Sequence, residues 1–337
     1  MKKIILFIVL LRIYCFCDVF CYECNNHNGW GPINYHISSP MRGMKNELQN
    51  FVPFTLPRKS TTLTISDSIV NIWNYNPKYF IIDMEILSHE LLFNHGISKT
   101  ETISINIPFY YIGGGFLDST IENFHNLLGI TNANREIRPK DSLIASMSDI
   151  NGNSYKMDQN ELEGLKTGNI NLIYQKNLFQ NINSSRSLFI NLKIPTSDFL
   201  MDEKDDYDVT VSYSFSQKNS SNIFQYFILG MTSFANPNLG PIPLKKYTTS
   251  FLYALERPMS KTIRSIIQLQ INQKITDVVP KFNENTYILN WGWKIKRKNR
   301  IFTFSIIENL LKFDNSPDFG LYFSRSFRFK RKMPDLK

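Results

Sequence analysis

From Tyr207 the chain is apolar at every second residue: Tyr207, Val209, Val211, Tyr213 and Phe215 alternate with Asp208, Thr210, Ser212 and Ser214. A period of two gives an extended segment one apolar face and one polar face. The same alternation runs through Ile103, Ile105, Ile107 and Phe109, through Leu188, Ile190, Leu192 and Ile194, and through Tyr287, Leu289, Trp291, Trp293 and Ile295. A soluble sandwich has this pattern too. Segments of about ten residues with aromatics near their ends, in a chain that is 14% aromatic, are what a membrane-spanning barrel requires.

Segments of this kind, beginning near residue 60 and ending near 329, predict about twelve strands, an even number as bacterial barrels require. From the second strand on, short turns (Gly96 to Lys99, Arg257 to Ser260, Lys296 to Asn299) alternate with longer loops (113–167, 196–205, 234–245, 273–284, 309–316). In outer-membrane barrels the turns are periplasmic and the loops extracellular. The expectation is therefore an all-β, antiparallel up-and-down transmembrane β-barrel spanning 60–329. The final strand, with Phe319, Leu321, Phe323, Phe327 and Phe329, resembles the aromatic-ended strand that barrel-assembly machinery recognises.

At the N-terminus Lys2 and Lys3 precede the apolar run Ile4 to Leu11, the layout of a secretory signal; residues 1–20 are read as that signal. The polar stretch 21–59 then reads as an N-terminal periplasmic arm, or one that enters the lumen, and 330–337 as a basic periplasmic tail. Cys15, Cys17, Cys21 and Cys24 all lie within the first 24 residues. No second pair completes a metal site with Cys21 and Cys24. The net charge of +9 is scattered, without the basic, aromatic-interleaved face that binds nucleic acid. Outer-membrane lipid and lipopolysaccharide are the simpler partners. A mean hydropathy of -0.23 excludes a bundle of membrane helices.

The long interruption is Gly113 to Pro139. Ser119 and Glu122 have capping-box spacing, and Gly129 supplies a stop. Between them Ile121, Phe124, Leu127 and Leu128 fall on one helical face, with Asp118, Glu122 and His125 opposite. From Pro108 the text PFYYIGGGFLDSTIENFHNLLGI resembles the bacterial outer-membrane family catalogued as domain of unknown function 3187, known by a GGFLD stretch followed by an I-E-x-W-H helix. The matching residues are Gly114 to Asp118, Ile121, Glu122, His125 and Gly129, with Arg135 and Pro139 beyond. Phe124 stands in place of the tryptophan. Gly164 to Gly168, and Lys193, Pro195, Thr196 and Asp198, resemble further family segments. The resemblance implies a barrel in the bacterial outer membrane and no established activity.

Asp118, Glu122, His125 and Arg135 are the candidates for ligand binding or gating. An ion pair from Arg135 or Arg138 to Asp118 or Glu122 would lock the loop inside the barrel mouth. Asp83, Glu85, Asp208, Lys193, Arg264 and Lys294 are expected in the lumen, where they either line a wet pore for a small solute or pair across it and hold it closed. No cofactor fingerprint or metal-ligand set is present. His89 could meet Ser104 across a hairpin as a hydrolase pair. Serine and threonine are so common on the lumen faces that the chain is read instead as a channel or transporter, with the loop helix as constriction. A non-transporting surface barrel is the alternative, and a lipid-modifying enzyme comes third.

Overall fold

A computed structural model describes residues 29–37, 39, 42–43, 45–129, 134–157, 159–197, 207–311 and 315–330. The signal, the four cysteines and residues 331–337 of the basic tail lie outside them; Lys330 ends the last strand. Twelve long strands form a closed antiparallel ring. In chain order they are β1 (Ser60–Asn76), β2 (Phe80–Gly96), β3 (Glu101–Gly113), β4 (Ile170–Gln180), β5 (Ser184–Ile194), β6 (Val209–Lys218), β7 (Phe224–Ser233), β8 (Tyr247–Pro258), β9 (Ile263–Asn272), β10 (Thr286–Arg297), β11 (Arg300–Leu311) and β12 (Phe319–Lys330). Each pairs with its successor, and β12 closes on β1 from Ser60↔Lys330 to Asn71↔Phe319. Closure leaves no unpaired edge, as backbone in hydrocarbon demands. Among the described residues no helix is long and apolar enough to cross a membrane.

The long connections lie at one end of the barrel, with the tight β1–β2 turn; the remaining tight turns lie at the other. We call these the loop end and the turn end. The loop after β3 carries the helix α1 (Asp118–Leu128), short strands at Ile144–Ser148 and Ser154–Met157 that extend β2, and one at Gly164–Thr167 that extends β3.

Burial alternates along each strand. On β6 Thr210, Ser212, Ser214 and Ser216 are buried inside, while Val211 and Tyr213 are exposed outside. The outward set continues through Leu229, Met231, Ile267, Trp291, Ile295 and Phe304, an apolar belt suited to lipid.

The interior departs from a wet pore. The described residues between 29 and 57 run through the lumen as an extended hairpin: a first leg, to Ile37, rises from the turn end, Gly43 N–H bonds back to the Ser39 carbonyl, and a second leg, from Lys45, descends to β1. Of the two places expected for the N-terminal arm, the periplasm or the lumen, its described residues occupy the lumen. Ile33, Tyr35, Ile37 and Leu48 from this hairpin join Val70, Ile72, Ile82, Met84, Tyr226 and Ile288 of the wall in one core. Full burial of each such side chain is worth about 1.5–3 kcal/mol. On β7 the wall is glycine where the hairpin passes: a Cβ on Gly230 would lie 2.5 Å from Leu48.

Candidate functional site: the lumen hairpin and its wall contacts

An extended chain inside a barrel has no ladder of its own, so its backbone groups must bond to wall side chains or to itself. At the turn end Glu256 of β8 is wholly buried. Its carboxylate accepts from the Trp30 N–H at 2.8 and 3.0 Å, from the Gly31 N–H at 3.0 Å and from the Tyr226 hydroxyl at 2.8 Å. Arg264 of β9 pairs with the same carboxylate and lays its guanidinium over the Trp30 ring, 4.7 Å from the centroid. Lys294 of β10 donates to the carbonyls of Trp30, Gly31 and Pro32 at 3.0, 2.7 and 3.0 Å. One anion therefore holds the amides and one cation the carbonyls of a single tripeptide.

Further up, Gln268 accepts from Ile33 N–H at 2.8 Å and returns a bond to the Ile33 carbonyl at 3.1 Å. His36 Nδ1 lies 2.9 Å from Glu90 of β2. Burial opposes a charge on His36, yet the Glu90 carboxylate and its hydrogen bond outweigh this and raise the imidazole pKa. Near the reversal Arg42 is buried, which lowers its pKa to about 10, and its guanidinium donates to the Gln273 carbonyl.

Beside the descending leg the wall residues Lys193 of β5 and Asp208, just before β6, form a pair at 3.2 Å with side chains 1% and 0% exposed, and Asp208 accepts from the Asn46 N–H at 3.0 Å. Asn50 donates to the carbonyls of Ile33 and Tyr35, tying the legs together. The Pro53 carbonyl accepts from Asn177, Ser185 and Ser187 at 2.8, 2.9 and 2.6 Å. Below, beside Phe51 and Phe54, a cavity of about 180 Å³ remains against the wall, lined with Thr64, Thr102, Ser104 and Tyr322.

Four of the six expected lumen charges, Lys193, Asp208, Arg264 and Lys294, thus face inward; the last three touch the hairpin, and Lys193 holds Asp208. Asp83 and Glu85 do not. On β1 and β2 the even residues point inward, as Ser68 and Ser88 do when they bond across the ladder at 2.6 Å; Asp83 and Glu85 share the outward register with Leu87 and His89. There Glu85 meets the glycine-rich loop. Glu85 accepts from the N–H groups of Phe116 (3.0 Å) and Leu117 (2.5 Å). Gly115 sits at φ +83°, with no room for a Cβ, which would fall 1.8 Å from the Glu85 carboxyl carbon.

Arg135, 4% exposed, joins Asp118 at 2.6 Å, Asp318 at 2.6 Å and Asn71 at 3.0 Å, and stacks over Trp73. The Arg135–Asp118 pair is therefore formed, but on the outer face of β1, so it clamps the loop against the wall rather than inside the mouth. The helix expected as the constriction is anchored outside the lumen. It begins at Asp118, so Ser119 lies within the first turn and accepts instead from Lys140. Asp118 accepts from Asn71, Arg135 and the Asp141 N–H, and Glu122 pairs with Lys140 at 2.6 Å. Ile121 is buried and Leu127 is 82% exposed, contrary to a shared packed face. Gly129 ends the helix at φ +68° as expected. The side chains of Phe124, His125 and Leu128 lie outside those described. Ser104 faces the lumen and His89 faces outward, bonded to Asp67 at 2.7 Å, so the two cannot form a hydrolase pair.

Glu256, Tyr226, Gln268, Gln270, Glu90 and His36 escaped the sequence reading. A signal existed: Ile33, Tyr35 and Ile37 alternate with Asn34 and His36, as in a wall strand, and the inward register of β8, β9 and β4 carries long hydrogen-bonding side chains at Glu256, Gln268, Gln270 and Gln175.

A closed twelve-strand antiparallel ring with an apolar outer belt and a filled interior defines an outer-membrane-type barrel. The chain belongs to the family described as protein of unknown function (DUF3187), whose model matches residues 7–329. No curated protein matches it. Among solved structures it is similar to the COG4313 outer membrane channel from Pseudomonas putida F1, with a TM-score of 0.55 and 10% identity over 84% of this chain and 100% of that one. Weaker likenesses include the KdgM porin in complex with disordered oligogalacturonate (TM-score 0.42, 6% identity, 80% and 99% coverage) and the TodX monoaromatic hydrocarbon channel deltaS2 mutant (0.41, 6%, 82% and 91%). At these identities the likeness concerns the fold.

Proposed function

We propose that this protein is an outer-membrane channel for a small solute, held shut by its own residues 29–57. Exported by its N-terminal signal and inserted by barrel-assembly machinery, it would lie with the loop end extracellular, among lipopolysaccharide and phospholipid. The observation that carries the reading is how the hairpin is held. Much of its hold at both ends comes from wall side chains on its backbone, contacts that can exchange for water without breaking the barrel ladder. The loop helix acts as an external brace. The apolar core in the lumen favours a second reading, a permanently filled barrel that transports nothing.

The two separate in a planar bilayer. With Leu48→Cys and Gly230→Cys, a disulfide would pin the hairpin to β7. The channel reading expects conductance in the unsubstituted protein, silence in the oxidised variant and recovery on reduction. Silence in every state, together with silence after deletion of residues 29–45, would leave only the filled barrel.

A further inference from the structure

The outer wall at the turn end carries a feature that the lumen does not explain. Arg186 of β5 points outward, exposed, with its guanidinium 5.7 Å from the Phe179 centroid and 5.6 Å from that of Phe215. Among the described residues no carboxylate pairs with it. Beside it Phe215 and Phe227 stack at 6.0 Å, and Phe227 meets Tyr253 at 4.9 Å. One row further from the turns, Tyr213, Leu229 and Phe251 complete a trough of about 230 Å³ across β6, β7 and β8.

A cation on an aromatic shelf with an apolar trough beyond it has two chemically different ends. Water satisfies the guanidinium but not the trough; a hydrocarbon chain satisfies the trough but not the guanidinium. We infer that this is a binding site for an anionic glycerophospholipid of the leaflet at the turn end, its phosphate on Arg186 and one acyl chain in the trough. A planar guanidinium donates two parallel hydrogen bonds to a phosphate. Its position three residues inside the β4–β5 turn (181–183) places it at the depth of aromatic girdles and headgroups. Glu101, the acid two strands away on β3 at the same end of the wall, is already paired with Lys176 at 2.9 Å.

The test is native mass spectrometry of the full chain, released from micelles doped equally with phosphatidylglycerol and phosphatidylcholine. The unsubstituted protein should retain phosphatidylglycerol at least fivefold over phosphatidylcholine. Arg186→Gln should abolish the preference and Arg186→Lys should reduce it, while Arg300→Gln, elsewhere on the wall, should leave it unchanged. Folding of each variant is checked by heat-modifiable electrophoretic mobility. Equal retention of the two lipids by the unsubstituted protein overturns the inference whatever the variants do. So does a preference that survives Arg186→Gln, or one lost equally in Arg300→Gln.

Discussion

Replacing Glu256 with glutamine asks whether the hairpin is held or merely enclosed. The substitution keeps volume and removes the charge. In the native site the carboxylate accepts from two hairpin amides, one tyrosine hydroxyl and one guanidinium. A carboxamide has one acceptor oxygen, and its NH2 group must face at least one of these donors. A hydrogen bond to a charged group contributes about 1.5–3 kcal/mol. If one such bond is lost from the Trp30–Gly31 side, the released state gains about 10- to 150-fold in population, at 1.4 kcal/mol per tenfold. Native-state hydrogen exchange reads this directly, because protection of an amide falls by the factor by which its open state grows. The expected result is a 10- to 150-fold loss of protection for amides of residues 30–37, with β1 and β12 unchanged. Unchanged protection in the hairpin would refute the reasoning. Loss spread evenly over the barrel would show that Glu256 staples Tyr226 to Arg264 and holds the hairpin only incidentally.

Three further outcomes follow from the same contacts. Lys193→Met leaves the Asp208 carboxylate buried without its ammonium partner and should lower stability by about 3–5 kcal/mol, measured by urea titration of the folded electrophoretic band; Lys193→Met with Asp208→Leu should recover only part, since Asp208 also holds the Asn46 amide. Arg135→Gln should expose residues 113–141 to protease while single-channel conductance stays within error, and a conductance change would return the helix to the pore. Because the folded pKa of His36 is raised, its contact with Glu90 contributes fully below the unfolded value near 6.5 and is lost as pH rises through the folded value. Hairpin protection factors, with intrinsic exchange divided out, should therefore fall on the alkaline side, and His36→Gln should flatten that dependence.

The barrel was readable because lipid outside and polar groups inside impose period two on strands such as β6 and β10, and because turn and loop lengths differ. The hairpin was harder to read. Its partners lie as many as 264 residues away, as Lys294 does from Trp30, and nothing local in 29–57 says which side of the wall it occupies. Asp83 and Glu85 misled for a different reason. In the lipid zone apolar residues face out, so acids on the same strand are assigned inward. At the loop end of β2 the rule reverses: Ile82, Met84 and Ile86 pack into the filled lumen, and the acids turn outward, where the loop supplies two amides to Glu85. Spacing alone puts Leu127 on a packed face with Ile121; in the structure Ile121 is covered and Leu127 is exposed.

The hairpin enters and leaves by the same end, and its second leg runs directly into β1, with Lys59 N–H bonded to the Gly96 carbonyl at 2.8 Å. If the hairpin is the plug of the proposed channel, it is tied so closely to its socket that it is never diluted. Its effective concentration at the lumen is on the order of millimolar, so closing is first-order and independent of how many barrels share the membrane. A free peptide copy of residues 29–57 at micromolar levels could not compete with it. In the proposed channel each opening would therefore be self-limiting, ended by the chain's own tether rather than by a second molecule that must be found.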